Sequence, residues 1–199
     1  TFAAKNAGIK HVINLVEGLG SFYIDNDLKT RLVRAAIETL YKKALNMSDG
    51  CVFVNEADPA YFLSRGLIAE EKMFKIKSVG VDTLKFDENS VSAANLGEDL
   101  RGKKIVLMIA RAMWHKGVRE FYEAAELLRG REDCAFVFAG EGFEGNKSTA
   151  DAKFLKGGAV RYLGARDDVP ELLKASYLLA LPSYKEGFPR TVLEAMSMG

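Results

Sequence analysis

Cationic and acidic side chains that could do chemistry cluster in two segments of the 199-residue chain. The first segment holds Arg111 and Lys116, a planar guanidinium fork and a compact ammonium, and Gly117 follows them. The second holds Glu186 and Glu194, which seven residues separate. Cations of these types bind phosphate oxygens, and carboxylates accept hydrogen bonds from hydroxyl groups. Together the two segments predict a site for a diphosphate that carries a polyol.

Alternating apolar and amphipathic stretches in the second half of the chain predict the elements that would position these residues. Strands are predicted over residues 105–110, 135–139, 160–163 and 177–181, and helices over 116–129, 148–155, 169–175 and 190–198. Four β-α units in a row predict a parallel sheet covered by helices on both faces. Ligands of such sheets bind at the carboxyl ends of the strands. The candidate site loops are therefore 110–117, 139–147, 164–169 and 182–190.

The second charged segment also has residues that favour binding of an anion. Gly187 allows the backbone to come close to a ligand, because it has no side chain. Pro189 is suited to begin the last helix. The free N–H groups at that helix start would point toward the site and attract a phosphate.

The first half of the chain follows a similar alternation. Strands are predicted over 11–16, 51–54 and 74–78, and helices over 28–47 and 58–64. Asp27 is the predicted cap of the long helix, and Asp58 that of the short one. Residues 87–104 are rich in polar side chains, which is typical of a domain boundary. We therefore predict an α/β protein with domains over residues 1–88 and 89–199.

Composition narrows the classes of function. The chain is 48% hydrophobic and 28% charged with a net charge of +1, so nucleic acid is not an expected partner. Cys51 and Cys134 lie in apolar runs, which indicates two buried, reduced thiols of a cytoplasmic protein. No apolar run is long enough to span a membrane, and no signal peptide is visible. The start at Thr1 and the end within a predicted helix indicate a fragment.

The motifs resemble those of family-4 retaining glycosyltransferases of the GT-B fold. The run 186–196 is similar to the Glu-x7-Glu element of that family, and Arg111 with Lys116 and Gly117 is similar to its arginine and Lys-Gly pair. Segments 140–142 and 163–169 resemble two further elements of the family. Upstream segments resemble a subgroup that extends lipid-linked oligosaccharides: 18–20, Asn55, 66–68 and 80–82.

The resemblance implies the fold and a role for each matching residue. The fold would be two Rossmann-like domains, the first partial and the second lacking its end. Arg111 and Lys116 would hold the diphosphate and stabilise the leaving group in place of a metal ion, and Glu186 would contact hydroxyls of the donor sugar. The remaining donor-binding residues would be Gly18, Gly20, Gly187, Phe188, Thr191, Val192 and Glu194. Glu194 would bind the ribose, and Thr191 or Val192 would border the nucleoside.

The resemblance also implies an activity and its partners. The protein would move a hexose or N-acetylhexosamine from a UDP-sugar to a glycan on a polyprenyl diphosphate, with retention. The UDP-sugar would be the substrate, and neither a cofactor nor a metal would be required. In one respect the sequence differs from the family pattern. Many members carry a histidine at the end of an early strand, whereas residues 14–18 contain none and place Glu17 there.

Four alternative functions, and two interpretations of a basic helix surface, are also compatible with the sequence. The pattern G-x-G-x-x-G over 140–145, with Asp167 about 20 residues on, fits a dinucleotide enzyme, but the predicted helix after it does not start in the motif and Glu141 and Glu144 would repel a pyrophosphate. Residues 25–27 form an Asp-x-Asp of the kind that metal-dependent transferases use. A non-catalytic nucleotide-binding remnant and a UDP-sugar epimerase or hydrolase of the same fold are also open. Five basic residues against Glu38 on the long helix indicate either a solvated face or contact of a peripheral protein with an anionic membrane: Lys29, Arg31, Arg34, Lys42 and Lys43.

Overall fold

The protein folds into two compact units in the computed structural model, which describes residues 1–20, 23, 27–143, 145–146 and 148–199. The first unit comprises Thr1–Val79 together with Lys185–Phe188. The second comprises Gly80–Tyr184 together with Pro189–Gly199. Each unit has its own parallel sheet.

The first unit contains a three-stranded parallel sheet with the order β1-β2-β3. Its strands are β1 (Ile13–Val16), β2 (Gly50–Phe53) and β3 (Met73–Lys75), and its helices are α1 (Phe2–Asn6), α2 (Leu28–Met47) and α3 (Ala57–Ser64). All three predicted strands and both predicted helices are present. The sequence pattern gave no indication of α1 or of the 3-10 turn at Glu70–Lys72.

One face of this first sheet carries the core of the unit. Cys51 and Phe53 of β2 are fully buried against Phe62 of α3, whose ring meets that of Phe53 edge-on at 5.1 Å. On the opposite face, Ile13 and Leu15 of β1 are more than half exposed. The alternation of side chains along a strand therefore separates a packed face from an open one.

The two predicted helix caps of this unit have different outcomes. The Asp27 side chain accepts a hydrogen bond from the Thr30 backbone N–H at 3.1 Å, so it caps α2 as predicted. Asp58, predicted as the cap of α3, lies inside the first helical turn and is buried. The Asn55 side chain instead accepts from the Asp58 N–H at 2.8 Å, because it stands where a capping oxygen can reach the first turn.

A buried carboxylate joins α2 to α3. Glu38 accepts a hydrogen bond from Tyr61 Oη at 2.5 Å and one from Arg65 Nη2 at 2.8 Å. Burial opposes ionisation of Glu38, but these two donors outweigh it, so the pKa of the carboxyl lies below its ordinary value. The negative charge of Glu38, the one acidic residue of α2, is therefore balanced by Arg65 inside the unit.

The second unit contains a four-stranded parallel sheet with the order β6-β5-β4-β7. Its strands are β4 (Lys104–Ile109), β5 (Cys134–Ala139), β6 (Val160–Gly164) and β7 (Leu178–Leu179), and its helices are α4 (Val118–Leu127), α5 (Ala152–Leu155), α6 (Val169–Lys174) and α7 (Arg190–Ser197). All four predicted β-α units are therefore confirmed. The strand order reverses direction at β4, since β5 pairs on one side of it and β7 on the other. Such a reversal opens a crevice at the carboxyl end of the sheet, where ligands bind.

Both faces of the second sheet are packed. Met108 of β4 and Phe138 of β5 lie in a cluster with Phe121 of α4. Leu107 of β4, one residue away, belongs to the opposite cluster with Leu172 of α6. Burial on both faces explains why these strands appear in the sequence as continuous apolar runs.

Two predicted helices begin later than the sequence indicated. The helix predicted from residue 116 begins at Val118, because residues Trp114–Lys116 form a 3-10 turn that ends at Gly117 with φ +79°. The helix predicted from residue 148 begins at Ala152, with Asp151 as its cap. Residues 148–150 are drawn away from helix formation by backbone hydrogen bonds to residues 112–114.

The two cysteines predicted to be buried differ in their burial, and the helices can be compared with the prediction that no segment spans a membrane. Cys51 is fully buried, as expected, and burial raises the pKa of its thiol to about 11. Cys134 is only half-buried, because it is the first residue of β5 at the end of the sheet. None of the helices in the described part of the chain combines the length and the apolar character that crossing a bilayer requires.

Candidate donor site

A cavity of ≈ 400 Å³ opens in the second unit at the carboxyl ends of β4, β5 and β6. Its described lining comes from four places in the sequence: residues 109–111, 139–143, 165–166 and Thr191. The lining includes two cations, Arg111 and Arg166, and one acid, Glu141. The cavity therefore lies where the topology predicts a ligand, and the exposed guanidinium of Arg111 on its wall favours an anionic one.

Arg111 and Lys116, the two predicted diphosphate ligands, both follow β4 but differ in their surroundings. Arg111 lines the cavity and is exposed, and its guanidinium carbon lies 5.8 Å from the centroid of the Phe143 ring. Lys116 is half-buried at the end of the 3-10 turn and is not among the described residues that line the cavity. The structure thus places only Arg111 of this pair on the cavity wall.

The loop after β4 is fastened to the loop after β7, its neighbour across the point of strand reversal. The Tyr184 N–H donates to the His115 carbonyl at 3.0 Å, and the Ser183 hydroxyl donates to the Lys116 carbonyl at 3.4 Å. A Cβ on Gly117 would lie 2.2 Å from the Pro182 carbonyl oxygen. Glycine after Lys116 is therefore required both by φ and by this close approach of backbones.

The glycine-rich loop after β5 closes against the loop after β4. A Cβ on Gly140 would lie 1.8 Å from the Ala110 carbonyl oxygen, so only glycine fits there. The Ala112 N–H donates to the Glu141 carbonyl at 2.9 Å. The dinucleotide alternative requires a helix that starts inside this motif, whereas α5 begins only at Ala152. Gly140 thus serves close contact between two loops.

Arg166 is a cavity residue that lies in segment 163–169, which resembles a family element, but the resemblance implied no role for its side chain. Its Nε donates to Asp168 Oδ1 at 2.7 Å, and its Nη2 contacts the other carboxylate oxygen. The hydrogen bond from Arg166 is the main cause that lowers the pKa of Asp168 below its ordinary value. A bidentate pair fixes the plane of a guanidinium, so Arg166 is held in a set orientation at the cavity.

The start of α7 brings one more predicted residue to the cavity. Thr191 lines it, while Val192 and Glu194 are half-buried and are not among its described lining. Pro189 is the N-cap, one position before the predicted helix start, and its carbonyl accepts from the Val192 N–H at 3.1 Å. One of the backbone donors expected to face a ligand is therefore already engaged.

The remaining predicted residues belong to the first unit. Gly18 and Gly20 follow β1, and the segment Lys185–Phe188 with Glu186, Gly187 and Phe188 packs with them. A Cβ on Gly187 would lie 1.4 Å from the Glu17 carbonyl oxygen, and one on Gly18 would lie 3.2 Å from Gly187 Cα. In the structure, Gly187 makes a close contact with the backbone at Glu17, and its predicted approach to a ligand stays a prediction. Glu186 is half-buried within the same segment.

A metal site was an alternative drawn from residues 25–27. Asp25 and Asn26 lie outside the described residues, and the Asp27 carboxylate is engaged in capping α2. Among the residues that the structure describes, no group of three or more His, Cys, Asp or Glu side chains could hold a metal ion.

Comparison with known proteins identifies the family. The family model described as "Glycosyl transferases group 1" matches residues 97–199, which is half of the chain. The chain belongs to the group 1 glycosyltransferases. The match begins just before β4 and includes the cavity, so the resemblance to family-4 transferases of the GT-B type is confirmed.

Relatives of this glycosyltransferase include enzymes whose names specify lipid-linked acceptors. It is 48% identical to the N,N'-diacetylbacillosaminyl-diphospho-undecaprenol alpha-1,3-N-acetylgalactosaminyltransferase of Campylobacter jejuni, over 99% of this chain and 53% of that protein. It is 28% identical to the UDP-Gal:alpha-D-GlcNAc-diphosphoundecaprenol alpha-1,3-galactosyltransferase of Escherichia coli, over 99% of this chain and 52% of that protein. The chain therefore spans about half the length of these curated relatives.

Solved structures share the fold of this glycosyltransferase. HepE of Anabaena in complex with UDP and glucose matches 98% of the chain and 52% of its own length, with a TM-score of 0.71 at 19% identity. The trehalose 6-phosphate synthase of Burkholderia multivorans matches 99% of the chain and 51% of its own length, with a TM-score of 0.72 at 16% identity. The predicted α/β fold class of the GT-B type is thereby confirmed.

Proposed function

We propose that the protein transfers a hexose or N-acetylhexosamine from a UDP-sugar to a glycan carried on a polyprenyl diphosphate, with retention of configuration and without a metal ion. The observation that carries the proposal is the cavity at the carboxyl ends of β4, β5 and β6, with Arg111 on its wall. An anionic ligand suits the exposed guanidinium of Arg111, and the named activities of the relatives supply the sugar and the lipid-linked acceptor.

The proposed reaction exchanges one carbon–oxygen bond for another at the anomeric carbon. The bond from that carbon to the β-phosphate oxygen of UDP breaks, and a bond to an acceptor hydroxyl forms. The hydroxyl proton leaves with the UDP or passes to solvent. Negative charge grows on the departing diphosphate, so cations placed there in advance lower the barrier. Arg111 and Lys116 are proposed for this role.

The other predicted residues have proposed roles of their own. Glu186 would accept hydrogen bonds from the sugar, Glu194 from the ribose, and Thr191 would border the nucleoside. Of the two predicted domains, residues 1–88 would bind the acceptor and residues 89–199 would bind the donor. Each charge-assisted hydrogen bond to the diphosphate would contribute about 1.5–3 kcal/mol.

Helix α2 supports a peripheral association of the protein with an anionic membrane surface on the cytoplasmic side. Leu28, Leu32 and Leu40 are 72%, 65% and 58% exposed. Four exposed cations accompany them on this fully described helix: Lys29, Arg31, Lys42 and Lys43. The fifth base, Arg34, is half-buried and stacks on Tyr23 at 5.4 Å. Exposed leucines with cations, and an acid that is buried, are typical of helices that lie at a charged lipid interface.

Turnover with a synthetic polyprenyl-diphosphate glycan tests the activity. The protein is incubated in chelator with the lipid-linked glycan and either UDP-N-acetylgalactosamine or UDP-galactose. The mass of the lipid product is then measured by mass spectrometry. The proposal predicts a mass gain of one sugar, loss of that gain in Arg111→Gln, and an α linkage by NMR. Release of free sugar without transfer would establish a hydrolase, and a changed UDP-sugar would establish an epimerase. UDP binding without turnover would establish a nucleotide-binding remnant.

Flotation with lipid vesicles tests the membrane contact. Wild type should float with vesicles rich in phosphatidylglycerol and not with phosphatidylcholine vesicles. A variant with Lys29, Arg31, Lys42 and Lys43 changed to glutamine should stay at the bottom. A control variant changes Arg129 and Arg131, exposed bases of the second unit, to glutamine and should float as wild type does. Equal flotation of both variants would overturn the proposed contact.

A further inference from the structure

The side chain of Arg111 is supported on one side by an aromatic ring that no motif accounts for. Phe143 is 56% exposed, although it is a large apolar residue in a loop, and the Arg111 guanidinium carbon lies 5.8 Å from its ring centroid. Both residues line the ≈ 400 Å³ cavity. The face of an aromatic ring attracts a cation through its quadrupole and leaves the guanidinium N–H groups available to a ligand.

Thr149 holds the Phe143 backbone in place. The Thr149 hydroxyl donates to the Phe143 carbonyl at 3.0 Å and accepts from the Phe143 N–H at 3.2 Å, so one group fixes both polar atoms of that residue. Thr149 also forms an antiparallel bridge with Met113, two residues beyond Arg111. The loop that carries the ring and the loop that carries the cation are therefore fastened to each other.

We infer that Phe143, fixed by Thr149, is a positioning residue that orients the Arg111 guanidinium toward the diphosphate of the nucleotide sugar. This inference rests on the proposed donor site. A flexible arginine loses side-chain freedom when it binds a phosphate, and an arginine already held against a ring loses less. This smaller loss of side-chain entropy favours only ligands that contact the guanidinium. Phe143 therefore contributes to binding of UDP but not to binding of uridine.

Two ligands separate this role from a merely structural one. We would measure dissociation constants for UDP and for uridine by calorimetry and NMR titration. The Kd for uridine divided by the Kd for UDP gives the contribution of the diphosphate to affinity. At an exposed cation–π contact the expected loss in Phe143→Leu is about two- to five-fold in that ratio, with uridine affinity unchanged. Phe143→Tyr should restore the ratio, because it keeps the aromatic face.

Two further variants complete the test. Thr149→Val should lower the ratio in the same direction, while Thr149→Ser, which keeps the hydroxyl, should preserve it. In an Arg111→Gln background, Phe143→Leu should have no further effect on UDP affinity. Equal weakening of UDP and uridine, or an undiminished effect in that background, would overturn the inference while the donor site stands. Absence of UDP binding in wild type would instead overturn the proposed function, and this inference with it.

Discussion

Replacement of Gly117 by alanine is the sharpest test of how the β4 loop is built. Gly117 has φ +79° and ψ 24°, a left-handed conformation that costs a residue with a side chain about 1–2 kcal/mol. The new Cβ would also lie 2.2 Å from the Pro182 carbonyl oxygen. Because that atom belongs to the backbone, the loop must move, at a cost of about 1–3 kcal/mol. The sum, about 2–5 kcal/mol, is a large share of the ~5–15 kcal/mol that holds a domain folded.

Urea unfolding followed by circular dichroism measures this loss. Gly130→Ala is the matched control, since in the described part of the chain nothing lies within 4 Å of a Cβ there and its φ is not left-handed. The control should stay within about 0.5 kcal/mol of wild type. UDP affinity should fall in Gly117→Ala as well, because the displaced loop carries Lys116. A Gly117→Ala protein as stable as the control would refute the argument from φ and close approach.

Three further predictions concern other sites. Under native conditions, an alkylating reagent should modify half-buried Cys134 well before Cys51, which is fully buried with a thiol pKa of about 11; mass spectrometry of digests would show equal labelling if the packing were wrong. Because the pKa of Glu38 is lowered in the folded state, the contribution of this carboxylate to stability is present above the ordinary carboxyl pKa and is lost as pH falls through the folded-state pKa. The difference in urea midpoint between wild type and Glu38→Gln should therefore shrink from pH 7 to acid pH. A difference that stays constant with pH would contradict this prediction. Gly187→Ala should lower the melting temperature, because its Cβ would lie 1.4 Å from the Glu17 carbonyl oxygen; an unchanged melting temperature would show that this contact is absent.

Local patterns were sufficient to predict the strands and most helices. The apolar runs of β4 and β5 are long and buried on both faces, and their bounds differ from the prediction by one residue at each shifted end. The Asp27 cap was recognisable because its hydrogen bond reaches only three residues along the chain. Asp58 was misassigned because Asn55, a second residue able to cap, lies three positions before it.

Contacts between loops far apart in the sequence were beyond such patterns. The late start of α5 depends on hydrogen bonds between residues 148–150 and 112–114, which the sequence around residue 148 does not reveal. Phe143 and Arg166 join the cavity from loops 139–147 and 164–169, which the topology predicted as site loops, although no signal in the sequence marked either side chain. Arg111 and Thr191 could be predicted because the parallel topology itself brings strand ends and helix starts to one edge.

Calorimetric titration with UDP in the presence of a chelator tests the central claim, a donor site built around Arg111, most directly. Wild type should bind UDP with a sub-millimolar dissociation constant, and Arg111→Gln should weaken binding by about ten- to a hundred-fold, the equivalent of one lost charge-assisted hydrogen bond. Arg129→Gln, which changes an exposed base that is not among the described cavity lining, should bind as wild type does. Equal affinity of wild type and Arg111→Gln, or no binding by either, would contradict the account.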